Sequence, residues 1–267
     1  MEFPYPLNEL IFDLPEEDYH AADAVSRSYL KKLQVSPAEA KIPQDESPSM
    51  GLGTACHLMV LEGRDKFDDL VIEAPTKTAG VKFTELAVNN PDKVVVALNG
   101  RQKAAEAVTG MMCHPQALEI LSAEDIQTEV SVFWLDKDTG LICKARVDFM
   151  VPSLSIIGDL KFVQKGAANE RKFRYMIRDY GYDLQAPWYT EGIAKATGQV
   201  YDHFVFIVTE TESPNMTGVF EMDRDWMGDA HWQNHSLLRL EAGCREAGLW
   251  PNYDPNNPGI QTLVPYY

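Results

Sequence analysis

The stretch from Glu129 to Phe162 constrains the fold of this chain more than any other part of it. Glu129–Leu135 (EVSVFWL) alternates polar and apolar residues. Leu141–Val151 (LICKARVDFMV) and Ser155–Phe162 (SIIGDLKF) are equally rich in strand formers. The turn cluster 136–140 and a short link opening with Pro152-Ser153 part these runs. Connections this short join antiparallel neighbours, so the segment predicts a three-stranded meander.

Helical spacing brackets that meander. Ser26 reads as the N-cap of a helix reaching about Gln34 and stopped by Ser36-Pro37. A polar loop over 41–51 leads to an apolar helix at Thr54–Leu61, closed by Glu62-Gly63, while residues 64–98 support no assignment. Two helices broken at His114-Pro115 fill 99–122. After the meander come helices at 167–178 and 182–196, a buried strand His203–Thr209, a candidate partner at Gly218–Met222, and a long helix Asp223–Ala247. Residues 1–22 read as an irregular arm and 250–267 as an irregular tail. The order predicts one α/β domain over 1–267, with a mixed central sheet flanked by helices.

Forty acidic residues against twenty-four basic ones give a net charge of −16, which disfavours generic binding of a polyanion to the whole surface. The distribution is uneven. Residues 1–50 carry ten acids and four bases, whereas 161–178 carry six bases and only Glu170. That basic stretch is either a solvated helix face or the lining of a restricted anionic channel. No apolar run approaches membrane-spanning length. The acidic, proline-broken N-terminus lacks the features of a secretory signal, so a cytoplasmic location is expected. Cys56, Cys113, Cys143 and Cys244 are scattered without C-x-x-C spacing, which argues against a disulfide scaffold, a zinc ribbon or a local iron–sulfur motif.

Chemistry concentrates at Asp148 and Asp159-Leu160-Lys161. In a strand Asp159 and Lys161 project from one face, and a tight connection can bring Asp148 beside them. Two adjacent carboxylates repel unless a cation lies between them, and a hard divalent ion such as Mg²⁺ suits oxygen ligands. The lysine can then orient or help deprotonate an attacking water, an arrangement suited to phosphodiester hydrolysis. A surface Asp–Lys pair is the plain alternative. Against it, Val147, Phe149, Met150, Ile156, Ile157, Leu160 and Phe162 surround these charges where most sheets bury hydrophobes.

These residues resemble the PD-(D/E)XK nuclease signature, with Val147 in place of the usual proline before the first aspartate. Within that superfamily the chain is similar to exonuclease VIII, the RecE-like phage and prophage exonucleases. Ser26-Arg27-Ser28-Tyr29-Leu30 with Ser36-Pro37 resembles the family's N-terminal segment. Gly53-Thr54-Ala55-Cys56-His57 followed by Leu61-Glu62 resembles a helix whose histidine binds metal in RecB-like nucleases. Glu129 fits the acidic residue of the preceding strand, and Gln185…Tyr189 fits a Q-x-x-x-Y helix motif. The pieces run in the family's order over roughly 23–222.

The resemblance implies a restriction-endonuclease-like core and a metal held by His57, Asp148, Asp159 and the Leu160 main-chain carbonyl. It places Lys161, Gln185, Tyr189 and Glu129 at the reacting phosphate. Mg²⁺ is the implied cofactor, and an imidazole ligand biases the site toward Mn²⁺. Arg27, Arg146, Lys165, Arg171, Lys172, Arg174 and Arg178 become DNA-phosphate contacts. Each has a plainer reading: His57 as a core histidine, Glu62 and Glu129 as solvated residues, Trp188 and Tyr182 as packing rather than base-stacking groups. The implied activity is 5′–3′ degradation of one strand of linear duplex DNA, leaving 3′ tails for recombination in a bacterial host. The implied partners are DNA ends, further copies of the chain in a ring, and a single-strand annealing protein. Restriction-like endonucleases and a silent end-binding factor are the rivals. Iron–sulfur nucleases with the same core need a C-terminal cysteine cluster, and only Cys244 lies there.

Overall fold

The computed structural model describes residues 3–43, 48–78 and 80–252, with the backbone alone at 48–50. In chain order the elements are β1 (Leu10–Ile11), α1 (Glu16–Ala21), β2 (Val25–Ser26), α2 (Arg27–Val35), α3 (Pro37–Ala40) and α4 (Pro48–His57). Then come α5 (Arg64–Leu70), β3 (Val71–Glu73), α6 (Val81–Asn89), β4 (Val94–Val96), α7 (Gly100–Met112) and α8 (Pro115–Leu121). The second half holds β5 (Gln127–Leu135), β6 (Ile142–Val151), β7 (Ile156–Val163), α9 (Glu170–Asp179), α10 (Tyr182–Thr197), β8 (His203–Glu210), β9 (Thr217–Glu221) and α11 (Arg224–Ala247). A π-helical turn, Leu58–Glu62, continues α4.

The main sheet runs β1-β5-β6-β7-β8-β9, with β2 beside β6. β5, β6 and β7 form the expected antiparallel meander, and β8 joins β7 in parallel through α9 and α10. The α/β class with a mixed central sheet flanked by helices is thus observed. Local chemistry explains most boundaries. Ser26, Asn169 and Asp223 side chains accept from the backbone N–H of Tyr29, Lys172 and Trp226, capping α2, α9 and α11. Gly198 and Gly248 end α10 and α11 in the left-handed conformation.

The sheet is buried on both faces. On one, α2, α10 and α11 cover Val130, Val132, Trp134, Val147 and Phe206, with Trp188 fully buried against Trp134. On the other, Leu61, Met111 and Ile120 cover Phe149, Val151, Leu160 and Ile207.

Three stretches depart from expectation. The arm is not irregular throughout, since β1 pairs with β5 (Leu10 opposite Val132) and α1 packs Tyr19 on Phe133. Lys144 anchors it, its buried Nζ donating to the carbonyls of Tyr19, His20 and Ala22 at 2.8–3.1 Å. Those carbonyls lie at the end of α1, where a cation is favoured. Residues 64–98, without assignment in sequence, form α5, α6 and a separate parallel pair, β3 and β4. The 41–51 loop is shorter than expected because α4 begins at Pro48, with 44–47 outside the described residues. Most of the tail, 253–267, also lies outside them.

Candidate active site

Strands β6 and β7 pair at Val151–Ile156, Met150–Ile157 and Phe149–Gly158, and there the ladder stops. One step further it would set Asp148 opposite Asp159. Instead the strands part, and the Asp148 carboxylate accepts the Leu160 N–H at 2.7 Å, so a donor freed from the ladder is satisfied by the acid beside it. Gly158 permits this approach. A Cβ there would fall 1.9 Å from the Phe149 ring.

A second irregularity sits one strand away. Glu129 has φ of +52°, left-handed and uncommon for a residue with a Cβ. The β5–β6 register omits Glu129 and Asp148 while pairing Thr128 with Phe149 and Val130 with Val147. Residues two apart in a strand share a face, yet the Thr128 hydroxyl reaches the Leu61 carbonyl while Val130 lies in the opposite core layer. Val147 and Phe149 are split in the same way. Both strands therefore change face at this level. The result is a row of three acids, Glu129, Asp148 and Asp159, on neighbouring strands. Strained backbone of this kind gathers at functional sites.

Helices reach the row from both layers. From α4, His57 Nδ1 lies 3.5 Å from Asp148 Oδ2, with its ring edge-on to Phe162 at 5.4 Å. His57 is the last residue before the π-helical turn, a feature frequent at functional sites. From α10, Gln185 Nε2 donates to Asp159 Oδ1, while Lys161 Nζ binds Asp159 Oδ2. Arg27 of α2 donates to Gln185 Oε1 at 2.8 Å and fixes the amide orientation. Lys161 Nζ also lies 4.5 Å from the centre of the Tyr182 ring.

Burial first, and neighbouring charges second, set the protonation preferences of the site. Burial, then the Asp159 carboxylate, push Asp148 up to about 8. Burial and Asp148 raise Glu129, against which Arg146 works. Burial lowers His57 and so favours the neutral, ligating imidazole. Burial also raises Tyr189 well above the ordinary phenol range, with Asp159 adding to it. A buried carboxyl whose ionisation is opposed by a neighbouring carboxylate fits a cation-binding donor set. The ligand atoms of Asp148, Asp159 and His57 are not drawn into one tight cluster: among the described residues, only Glu191, His231 and His235 place three such atoms within 4.8 Å of one another. Asp159 is instead engaged by Lys161 and Gln185.

The structure sorts the remaining sequence-predicted residues. Arg146 donates to Glu129 at 2.5 Å and to the Leu14 carbonyl at 2.7 Å, so its guanidinium braces the acidic row rather than facing a phosphate. Arg27 is likewise turned inward by Gln185. Trp188 is core, its indole N–H donating to the Lys144 carbonyl. Glu62 pairs with Lys66 next to it on the surface. The basic stretch is split. Lys165 donates to the Ser213 carbonyl, Arg174 pairs with Glu170, and Arg178 lies over the Trp226 ring. Arg171, Lys172, Arg174 and Arg178 form the exposed side of α9, while Phe173 and Ile177 are buried beneath. Phe173 packs on Phe206, whose ring centre is 5.8 Å from Lys161 Nζ, so the basic helix lies one layer from the site. The inward partners Arg27–Gln185 and Arg146–Glu129 carry no local sequence signal, because each is made by long-range folding.

Among the described residues no helix is long and apolar enough to cross a membrane. No curated protein matches the chain significantly. A crystal structure of a chain from Eubacterium rectale, described as a putative exonuclease, superposes with a TM-score of 0.65 at 14% identity, covering 96% of this chain and 97% of that one. That likeness establishes the fold. A second structure, SSO0001, covers 74% of this chain and 89% of its own at 11% identity, with a TM-score of 0.30, too low to bear on it. The family described as a PDDEXK-like domain of unknown function (DUF3799) matches residues 26–255. With that match spanning most of its length and a forked acidic sheet at its centre, the chain belongs to this PDDEXK-like family.

Proposed function

We propose that this protein is a divalent-metal-dependent exodeoxyribonuclease that digests one strand of linear duplex DNA from the 5′ end. The product is a 3′ single-stranded tail for recombination by strand annealing. One observation carries the reading: Asp148 and Asp159 flank the point where β6 and β7 part, with His57 beside Asp148 and with Lys161 and Gln185 bonded to Asp159. His57, Asp148, Asp159 and the Leu160 carbonyl would hold the cation, Mg²⁺ or Mn²⁺. When bound, it supplies Lewis-acid charge to a phosphoryl oxygen and makes water more acidic.

The residues do the rest. Lys161, steadied by Asp159 and the Tyr182 ring, places its ammonium beside the attacking water and the charge developing on phosphorus. Gln185, held by Arg27, keeps the Asp159 carboxylate in one orientation. The water oxygen attacks phosphorus and gives up its proton to solvent, the bond to the leaving oxygen breaks, and that oxygen takes up a proton from solvent. The exposed face of α9 supplies phosphate contacts. A ring of copies, acidic outside and basic within, reconciles a net charge of −16 with a DNA substrate, and an annealing protein would receive the tail.

The test is incubation with Mg²⁺ and duplexes labelled at either terminus, beside a covalently closed circle. Release of 5′ label from linear DNA with the circle intact is the expected result. Cutting of the circle would make the protein an endonuclease, and binding of ends without cleavage would make it a silent end-binding factor.

A further inference from the structure

Among the described residues, the one tight group of three metal-ligating atoms lies away from the acidic row. Glu191 is on α10, and His231 and His235 are four apart on α11, hence on one helix face. Glu191 Oε2 is 3.0 Å from His235 Nε2 and 3.6 Å from His231 Nδ1, and the two imidazole rings lie 4.4 Å apart. We propose that Glu191, His231 and His235 form a second cation site, of the zinc class, that clasps α11 to α10 and to the β5–β6 hairpin.

The surroundings are arranged as a ligand set requires. Lys195 takes the other Glu191 oxygen, Oε1, at 3.0 Å, which leaves Oε2 for the shared position. The far nitrogen of His235, Nδ1, faces Asp136 Oδ2 at 3.7 Å. Asp136 is itself buried and held, its Oδ1 accepting the N–H and hydroxyl of Thr139. At that distance Asp136 is an electrostatic neighbour of the ring, on the side where a metal-bound imidazole usually has its outer carboxylate partner. Two imidazole nitrogens and one carboxylate oxygen suit a borderline ion rather than Mg²⁺, and three protein ligands plus a water complete a tetrahedral zinc site. His231 is 44% exposed, so ions can enter from solvent.

The site is separate from the proposed nuclease centre. Asp136 follows the far end of β5 from Glu129, about 20 Å along the strand at its usual rise. Its role is therefore to fix helix positions. α11 packs on α10 through Asn234, whose amide donates to the Leu184 carbonyl next to Gln185. Two imidazoles sharing one carboxylate oxygen cannot both be charged without mutual repulsion, and a divalent ion at their meeting point replaces those protons.

The test uses the full-length untagged chain carrying Asp159→Ala, so that the first site does not contribute. After stripping with a chelator, Zn²⁺ is titrated against a chromophoric competitor. One equivalent should bind and raise the thermal midpoint by about 5 °C or more at hundredfold saturation. Adding His231→Ala, a half-exposed position, should weaken zinc by on the order of 100-fold or more and abolish that rise, with circular dichroism checking the fold. In the chain without that second substitution, zinc should shift the imidazole resonances of His231 and His235 alone among the six histidines. No zinc uptake, unchanged affinity in the His231→Ala chain, or unshifted His231 and His235 resonances would each overturn the proposal. Glu191 would then be an ion-pair partner only.

Discussion

Replacing Asp148 by asparagine should stabilise the protein in chelator while removing its response to divalent metal. The amide oxygen introduced by Asp148→Asn can still accept from Leu160 N–H, so the local hydrogen bond survives. What disappears is the charge. The Asp148 carboxyl rises from an ordinary 3.8 to about 8 on folding, chiefly through burial and then through Asp159. The folded state thus binds the extra proton more tightly than the unfolded chain. Where the native state holds more protons, stability falls as pH rises. The penalty starts near pH 4, grows by about 1.4 kcal/mol per pH unit, and levels off above about pH 8 on the order of 5 kcal/mol. Urea denaturation in chelator at several values between about pH 5 and 8 measures it, with the difference between parent and Asp148→Asn isolating this group from others that titrate. The two curves should converge at acid pH and separate steadily toward alkaline pH. Mg²⁺ or Mn²⁺ should restore the parent at the alkaline end and leave the variant unmoved. Parallel curves across the range would refute the reasoning, because they would mean that Asp148 ionises in the fold at no cost.

Three further outcomes test other parts of the site. Lys161→Ala should keep metal and DNA binding while cutting turnover by about 10²–10⁴-fold, whereas Asp159→Ala should lose the metal; calorimetry with Mn²⁺ separates the two. Arg171→Glu with Arg174→Glu should weaken DNA binding and flatten its salt dependence by roughly one unit of slope per lost contact, and an unchanged slope would return α9 to a solvated face. Gly158→Ala drives a methyl into the Phe149 ring and should cost about 1–3 kcal/mol in urea denaturation, with activity falling as the fork is displaced.

Local rules carry a large part of this protein. The period-two runs between 129 and 162 specify a meander because a strand's alternation and a short turn need no distant partner, and the caps at Ser26 and Asp223 act on residues three positions on. The Asp148 and Asp159-x-Lys161 spacing was legible for the same reason, as was the face shared by Gln185 and Tyr189. Other features depend on contacts between segments far apart in sequence. Proline-broken residues 1–22 have no period of their own, and β1 and α1 exist because β5 offers an edge and Lys144 three carbonyl contacts. Arg27 and Arg146 look like phosphate contacts as isolated cations, but the nearest acceptors in the fold are Gln185, Glu129 and the Leu14 carbonyl. The change of face at Glu129 is invisible in a pattern of residue types, since it lies in one backbone angle. His231 and His235 announce a shared helix face, but nothing in the sequence points to Glu191, on a different helix and far back along the chain. Periodicity encodes which side of an element is buried; which elements then meet, and which charges they leave facing one another, is decided only when the whole sheet closes its two layers.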